Sequence, residues 1–134
     1  MKAKMVLLTV TVLLSSCNLM IIEPVYDDRD RLTGSYRIEE HSQTYNDYTR
    51  FSIAIRKSGI YDEVVIENFY NSGIAVRATV AYDKIYISRQ IVNGYEIEGV
   101  GTYYGNEIEF SYRVRDTFSY GKPTDFCNAT AWFD

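Results

Sequence analysis

The sequence is poor in the residues from which most catalytic and metal-binding sites are assembled. It holds one histidine, His41, and two cysteines, Cys17 and Cys127. A structural zinc site draws four ligands mainly from Cys and His, so this set is too small for one. A Ser-His-acid triad needs groups brought together beside an oxyanion site. His41 has Glu40 and Ser42 as neighbours, but no nucleophile-elbow motif accompanies them, and His41 reads as a solvated side chain before a polar loop. There is no Gly-rich phosphate loop and no dinucleotide fingerprint. Asp27, Asp28 and Asp30 lack the turn glycine and terminal glutamate of a calcium loop. The expectation is a protein without catalysis, cofactor or metal.

Long apolar runs are also missing, with one informative exception. Val6 to Leu14 is an apolar stretch of nine residues preceded by Lys2 and Lys4 and followed by Leu14-Ser15-Ser16-Cys17. Such a stretch is too short to span a bilayer, which takes about 20 residues as a helix. A charged start, a short apolar core and small residues before a cut site form a secretory signal. Leu14-Ser15-Ser16-Cys17 resembles the lipobox of bacterial lipoproteins. That resemblance implies diacylglyceryl transfer to the Cys17 thiol, cleavage before Cys17 and acylation of the new amino terminus. Several acyl chains on one residue anchor a protein stably where one chain does not. The expected organisation is a signal peptide over 1–16, lipidated Cys17 with a tether over 17–33, and a domain over 34–134. No acidic run directly follows Cys17, so outer-membrane residence is expected, on either leaflet.

Cleavage removes Lys2 and Lys4 and no acid, leaving 12 basic against 18 acidic side chains. A net acidic domain does not attract phosphate backbones, which excludes nucleic acid as an expected partner. With Cys17 consumed by lipid, Cys127 has no disulfide partner in its own chain and reads as a small buried hydrophobe.

No window of the chain carries an amphipathic helical stripe over three turns. From Gly34 onward the sequence is instead rich in tyrosine, 13 in all, and in β-branched residues, in short alternating runs divided by Gly, Asn and Asp. Strands at this spacing indicate an all-β fold. Eight are expected, at about 34–42, 48–57, 62–69, 74–82, 84–91, 95–104, 106–116 and 124–133.

Turn chemistry fixes register. A two-residue turn at Gly105-Asn106 sets Gly101 opposite Phe110, Gly99 opposite Tyr112 and Ile97 opposite Val114 on one face. On the other face it sets Glu98 opposite Arg113 and Glu96 opposite Arg115. Apolar pairs inside and opposite charges outside suit a half-buried antiparallel pair. Each glycine then receives a ring from the neighbouring strand. A three-residue loop, Asn71-Ser72-Gly73, puts Ile66 opposite Ala78 and Glu67 opposite Arg77. Asp83-Lys84 and Asn93-Gly94 demand opposite parities of the strand between them, which one β-bulge between Ser88 and Gln90 reconciles. All these pairings join sequence neighbours. The result is an eight-stranded antiparallel meander, favoured as a closed barrel over a two-sheet β-sandwich.

Three segments resemble a group of small lipoproteins of Bacteroidetes type: Asn68-Phe69-Tyr70-Asn71, Val92 to Gly99 with Gly101-Thr102-Tyr103, and Asp125 to Ala131. No activity comes with that likeness. Gly34-Ser35-Tyr36 is similar to the Gly-x-Trp opening of lipocalin-type barrels, with Tyr36 in place of Trp, and implies a lipocalin-like barrel.

The inward face is expected to carry Tyr36, Phe51, Tyr82, Tyr95, Phe110 and Tyr112. The candidate ligand cavity is bounded by Gly99, Gly101, Tyr95, Phe110, Tyr112 and Tyr82, with the two glycines supplying room. Two functions compete. One is a lipid-anchored barrel holding a small apolar or amphipathic ligand. The other is an interaction or structural lipoprotein with a filled core, meeting an envelope protein through loops such as Tyr45-Asn46-Asp47-Tyr48 and Asp116 to Thr124.

Overall fold

The computed structural model describes residues 26–134. The signal peptide, Cys17 and most of the expected tether lie outside the described residues. A short 3-10 helix, Asp28–Arg31, precedes eight strands: β1 Gly34–Ser42, β2 Asp47–Lys57, β3 Glu63–Phe69, β4 Ile74–Ala81, β5 Lys84–Val92, β6 Tyr95–Tyr104, β7 Glu107–Asp116 and β8 Asp125–Phe133. Each strand pairs antiparallel with the next. β1 also pairs with β8, from Tyr36 against Phe133 to Ser42 against Cys127, and this closes the sheet into a barrel. The meander is therefore a barrel, not a sandwich.

Alternation explains the filling. Ile74, Val76, Ala78 and Val80 of β4 are buried while the residues between them are exposed. Ile55, Ile66, Ile85, Ile97 and Ile108 meet inside with Tyr36, which is fully buried. Outside, cross-strand ion pairs run along the wall, including Arg113 with Glu98 at 2.5 Å and Arg115 with Glu96 at 2.8 Å. An apolar interior under a charged outer wall is the reverse of a membrane-spanning barrel, whose lipid-facing band is apolar.

The Gly105-Asn106 register appears as derived, with Ile97 opposite Val114 and Gly99 opposite Tyr112. β5 shifts register against β6 between Ile87 and Gln90, where the bulge was expected. Two hairpins differ. Between β3 and β4, Val65 and not Glu67 faces Arg77, and the register shifts between Glu67 and Phe69. The cause is Asn68, whose backbone takes φ 59°. Its side chain donates to the Ser52 carbonyl at 2.8 Å and accepts from the Gly73 amide at 3.0 Å. This bulge lengthens the loop to Tyr70–Gly73. Arg77 consequently pairs with Glu63, and Glu67 with Arg56. Asn68→Ala is expected to cost about 1 kcal/mol through the lost hydrogen bonds. A urea midpoint equal to the parent's would show that Asn68 does not hold this loop.

The β4–β5 turn is Tyr82-Asp83 rather than Asp83-Lys84, because Ala81 pairs with Lys84. Tyr82 sits in the left-handed region at φ 55° and is 80% exposed. It therefore leaves the inward face.

The two barrel ends differ. At one end the segment read as tether docks as a cap. Leu32 is buried and its carbonyl accepts the Tyr36 hydroxyl at 2.9 Å. Arg29 donates to the carbonyls of Ser58, Ile60 and Glu63 while its guanidinium pairs with Asp27 at 2.8 Å. Asp28 accepts from the Tyr82 amide, and Lys57 pairs with Asp27 and Asp30. Asp27, Asp28 and Asp30, in the segment expected to be tether, are thus tied to the end of β2 and to the β4–β5 turn. The opposite end, beneath residues 43–46, 70–73, 93–94 and 117–124, is the polar one.

Candidate functional site

Inward alternation along β1 runs Tyr36, Ile38, Glu40, Ser42, and along β8 it runs Asp125, Cys127, Ala129, Ala131. Because β1 and β8 close the barrel, these rows meet. They bring Glu40 and Asp125 together at the polar end, 6% and 5% exposed. Asp125 is well held: it accepts from the Ser42 hydroxyl and from the Tyr70 hydroxyl, each at 2.5 Å. Ser42 in turn accepts from the Tyr45 amide at 3.1 Å. Glu40 is held only by the Cys127 thiol, a weak donor. Its Oε2 is buried without a hydrogen-bond partner, as is the hydroxyl of Tyr112.

Tyrosine rings surround the carboxylates. Tyr70 stands edge-on to Tyr95, with centroids 5.9 Å apart, and to Tyr112 at 6.5 Å. Tyr112 also packs on Phe69 at 4.6 Å. Above them lies a depression of about 240 Å³ whose lining includes Glu40, Ser42, Asp47, Tyr45, Tyr70 and Asp125. Its charged side chains are all acidic.

This environment sets the titration. Burial, and then the nearby charge of Asp125, push the Glu40 carboxyl up to about 7. Burial and its bond to Asp125 push the Tyr70 hydroxyl far up, so it stays a proton donor to that carboxylate. Burial, with the negative charges of Glu40 and Asp125, pushes the Cys127 thiol up as well. Cys127 is buried and unpaired. A thiol held protonated is a poor nucleophile, so Cys127 acts as part of the wall.

The sequence-derived cavity residues divide between two regions and a stray. Tyr95 and Tyr112 pack on Tyr70, which lines the polar mouth. Gly99, Gly101 and Phe110 lie along the barrel wall, with Phe110 buried. Tyr82 lies at the capped end in a turn, away from the others. The room expected from the glycines is taken up by β7, through the Phe110 ring at Gly101 and through the strand's own backbone at Gly99. A Cβ on Gly101 would stand 2.8 Å from Cδ1 and Cε1 of Phe110, and one on Gly99 would stand 2.6 Å from the Ser111 carbonyl oxygen. Phe51 packs partly buried against the core. His41 stacks on Tyr48 with centroids 4.4 Å apart, on the outer wall. Glu96 and Glu98 are engaged by Arg115 and Arg113.

Glu40, Ser42, Tyr70 and Asp125 are the residues the sequence reading did not single out. For Glu40 and Ser42 the signal was present, in the alternation that begins at Tyr36. No family model matches the chain, and a comparison with curated proteins finds no match.

Proposed function

We propose that this chain is a bacterial envelope lipoprotein, anchored to the outer membrane through lipid on Cys17, whose barrel binds a small amphipathic ligand at its polar mouth and performs no catalysis. One observation carries the binding: Glu40, which lines the mouth, holds its Oε2 buried with no partner. Buried polar groups are almost always hydrogen-bonded, and an unsatisfied one costs about 1–3 kcal/mol. A ligand with a polar head and an apolar body offsets that cost and meets the tyrosine rings. The filled interior supports a ligand held at the mouth over one swallowed along the barrel axis.

The anchor rests on the lysine start, the short apolar run and the lipobox-like tetrapeptide. The described chain enters the barrel at its capped end, opposite the mouth. Cys17→Ala is expected to abolish incorporation of labelled palmitate and membrane retention. Palmitate recovered in that variant would refute the anchor. For the binding, a protein purified from its host membrane should carry a small bound mass in native mass spectrometry. A ligand-free protein that takes up no amphiphilic probe would refute it.

A second reading is an interaction or structural lipoprotein. It is favoured by Phe118 and Tyr120, both largely exposed on the connection after β7. A crosslinking pull-down that is empty beside a ligand-filled barrel decides against it.

A further inference from the structure

The mouth has a charge problem that identifies the head group of its ligand. Three carboxylates, Glu40, Asp47 and Asp125, line the depression, and no lysine or arginine does. Asp125 is satisfied by two hydroxyl donors. Glu40 faces Asp125 and the Cys127 thiol, neither of which offers a positive charge, and its Oε2 accepts nothing. The other titratable side chains that line the depression are Asp47, Tyr45 and Tyr70, none of them a cation, and Tyr95 and Tyr112 pack against Tyr70.

Anionic head groups are excluded by repulsion from three acids. A neutral head satisfies Oε2 but leaves the negative potential unmatched. Among the described residues no group of three or more His, Cys, Asp and Glu converges tightly enough to hold a metal ion. An organic cation fits on both counts: it matches the charge, and ring faces attract cations through the aromatic quadrupole. An orphan acceptor further requires a hydrogen-bond donor, which a quaternary ammonium lacks.

Resting on the reading of the barrel as a binding module, we infer that its ligand is a small protonated primary amine on an apolar body, with its ammonium bonded to Glu40 Oε2 and its body against Tyr70 and Tyr45. The buried hydroxyl of Tyr112, behind Tyr70, is the second unpartnered polar group on this side of the barrel. Binding draws the proton off Glu40, so affinity rises with pH through the midpoint of Glu40 near 7.

Three probes with one phenyl body and different heads test this: phenethylamine, 2-phenylethanol and 3-phenylpropanoate, titrated calorimetrically into the detergent-solubilised full chain. At about pH 8 the amine is expected to bind at least about tenfold more tightly than the alcohol, and the carboxylate most weakly of all. Lowering the pH to about 6 should weaken the amine about tenfold and leave the alcohol unchanged. Glu40→Gln should erase both the preference and its pH dependence. If the alcohol binds as well as the amine, the cation inference fails and the binding module stands. If the amine preference survives in Glu40→Gln, the inference fails because the site lies elsewhere. If none of the three binds, the inference and the binding reading fall together.

Discussion

Gly99→Val is expected to destabilise the barrel by about 3 kcal/mol, at the upper end of what overpacking costs, although valine ordinarily favours strands over glycine. The reason is what lies opposite. A Cβ on Gly99 would fall on the Cβ of Tyr112, and would stand 2.6 Å from the Ser111 carbonyl oxygen and 2.8 Å from the Tyr112 Cα. Two of these three atoms are backbone of β7, so relief requires the strand to move. β7 is paired on both sides, with β6 and β8, and cannot yield alone. Gly101 differs in kind. Its nearest obstacles are two ring atoms of Phe110 at 2.8 Å, and a ring can tilt. Gly101→Val is therefore expected to be the milder change, at about 1–2 kcal/mol. Urea unfolding of both variants checks the order. A Gly99→Val protein as stable as its parent would mean that β6 and β7 do not approach as described.

Glu40→Gln is expected to stabilise the unliganded protein by about 2 kcal/mol at pH 8 and to leave it nearly unchanged at pH 4. Glu40 has its folded midpoint raised to about 7 from an ordinary value of 4.5. The folded state thus binds a proton more tightly than the unfolded state. Below about pH 4.5 both states are protonated and the burial of a neutral carboxyl carries no charge penalty. As pH rises from there towards 7 the unfolded state releases its proton first, and stability falls. Above 7 the loss is complete, because the folded state holds a buried charge beside Asp125. Glutamine keeps the shape and never ionises. Chemical denaturation from about pH 4 to 8 should show a decline in the parent that is absent in the variant. A variant that loses stability at pH 8 would mean that the Glu40 carboxylate is paired rather than orphaned.

The barrel was legible because each level of the sequence agrees with the next. Alternation selects the face, Asn93-Gly94 and Gly105-Asn106 select turns, and the charge pairs Glu96 with Arg115 and Glu98 with Arg113 check the register. Where the reading missed, a residue adopted a backbone conformation unusual for its type. Tyr82 and Tyr70 both take positive φ, a region favoured by Gly and Asn and uncommon for a bulky side chain. That moved the β4–β5 turn by one residue and, together with the Asn68 bulge, lengthened the loop before β4. Each hairpin register changed by two residues there, which preserves the face and changes the partner. This is why the inward positions survived apart from Tyr82, which went to the turn, while the Glu67–Arg77 pair did not.

The site was less legible than the fold. Tyr112 and Tyr95 were reached through aromatic content, and both pack against Tyr70 without lining the mouth. Glu40 was visible as an acid at an inward position two residues beyond Ile38, yet it drew notice only as a neighbour of His41. Its importance depends on Asp125, which is 85 positions away in the chain and adjacent only because β1 and β8 close the sheet. The position of Tyr70 depends on the Asn68 bulge, which no turn motif announced. Local pattern specifies each strand, whereas the mouth is a product of closure.

The claim on which the account turns is that Glu40 is buried at the mouth with a proton-holding carboxyl whose Oε2 has no partner. The titration of the Glu40 side-chain carboxyl carbon, followed by NMR in protein labelled with ¹³C at glutamate and assigned by comparison with Glu40→Gln, measures this directly. The account predicts a midpoint of about 7 in the free protein, moving down when phenethylamine is added. A midpoint near the ordinary 4.5, unmoved by the amine, would contradict it.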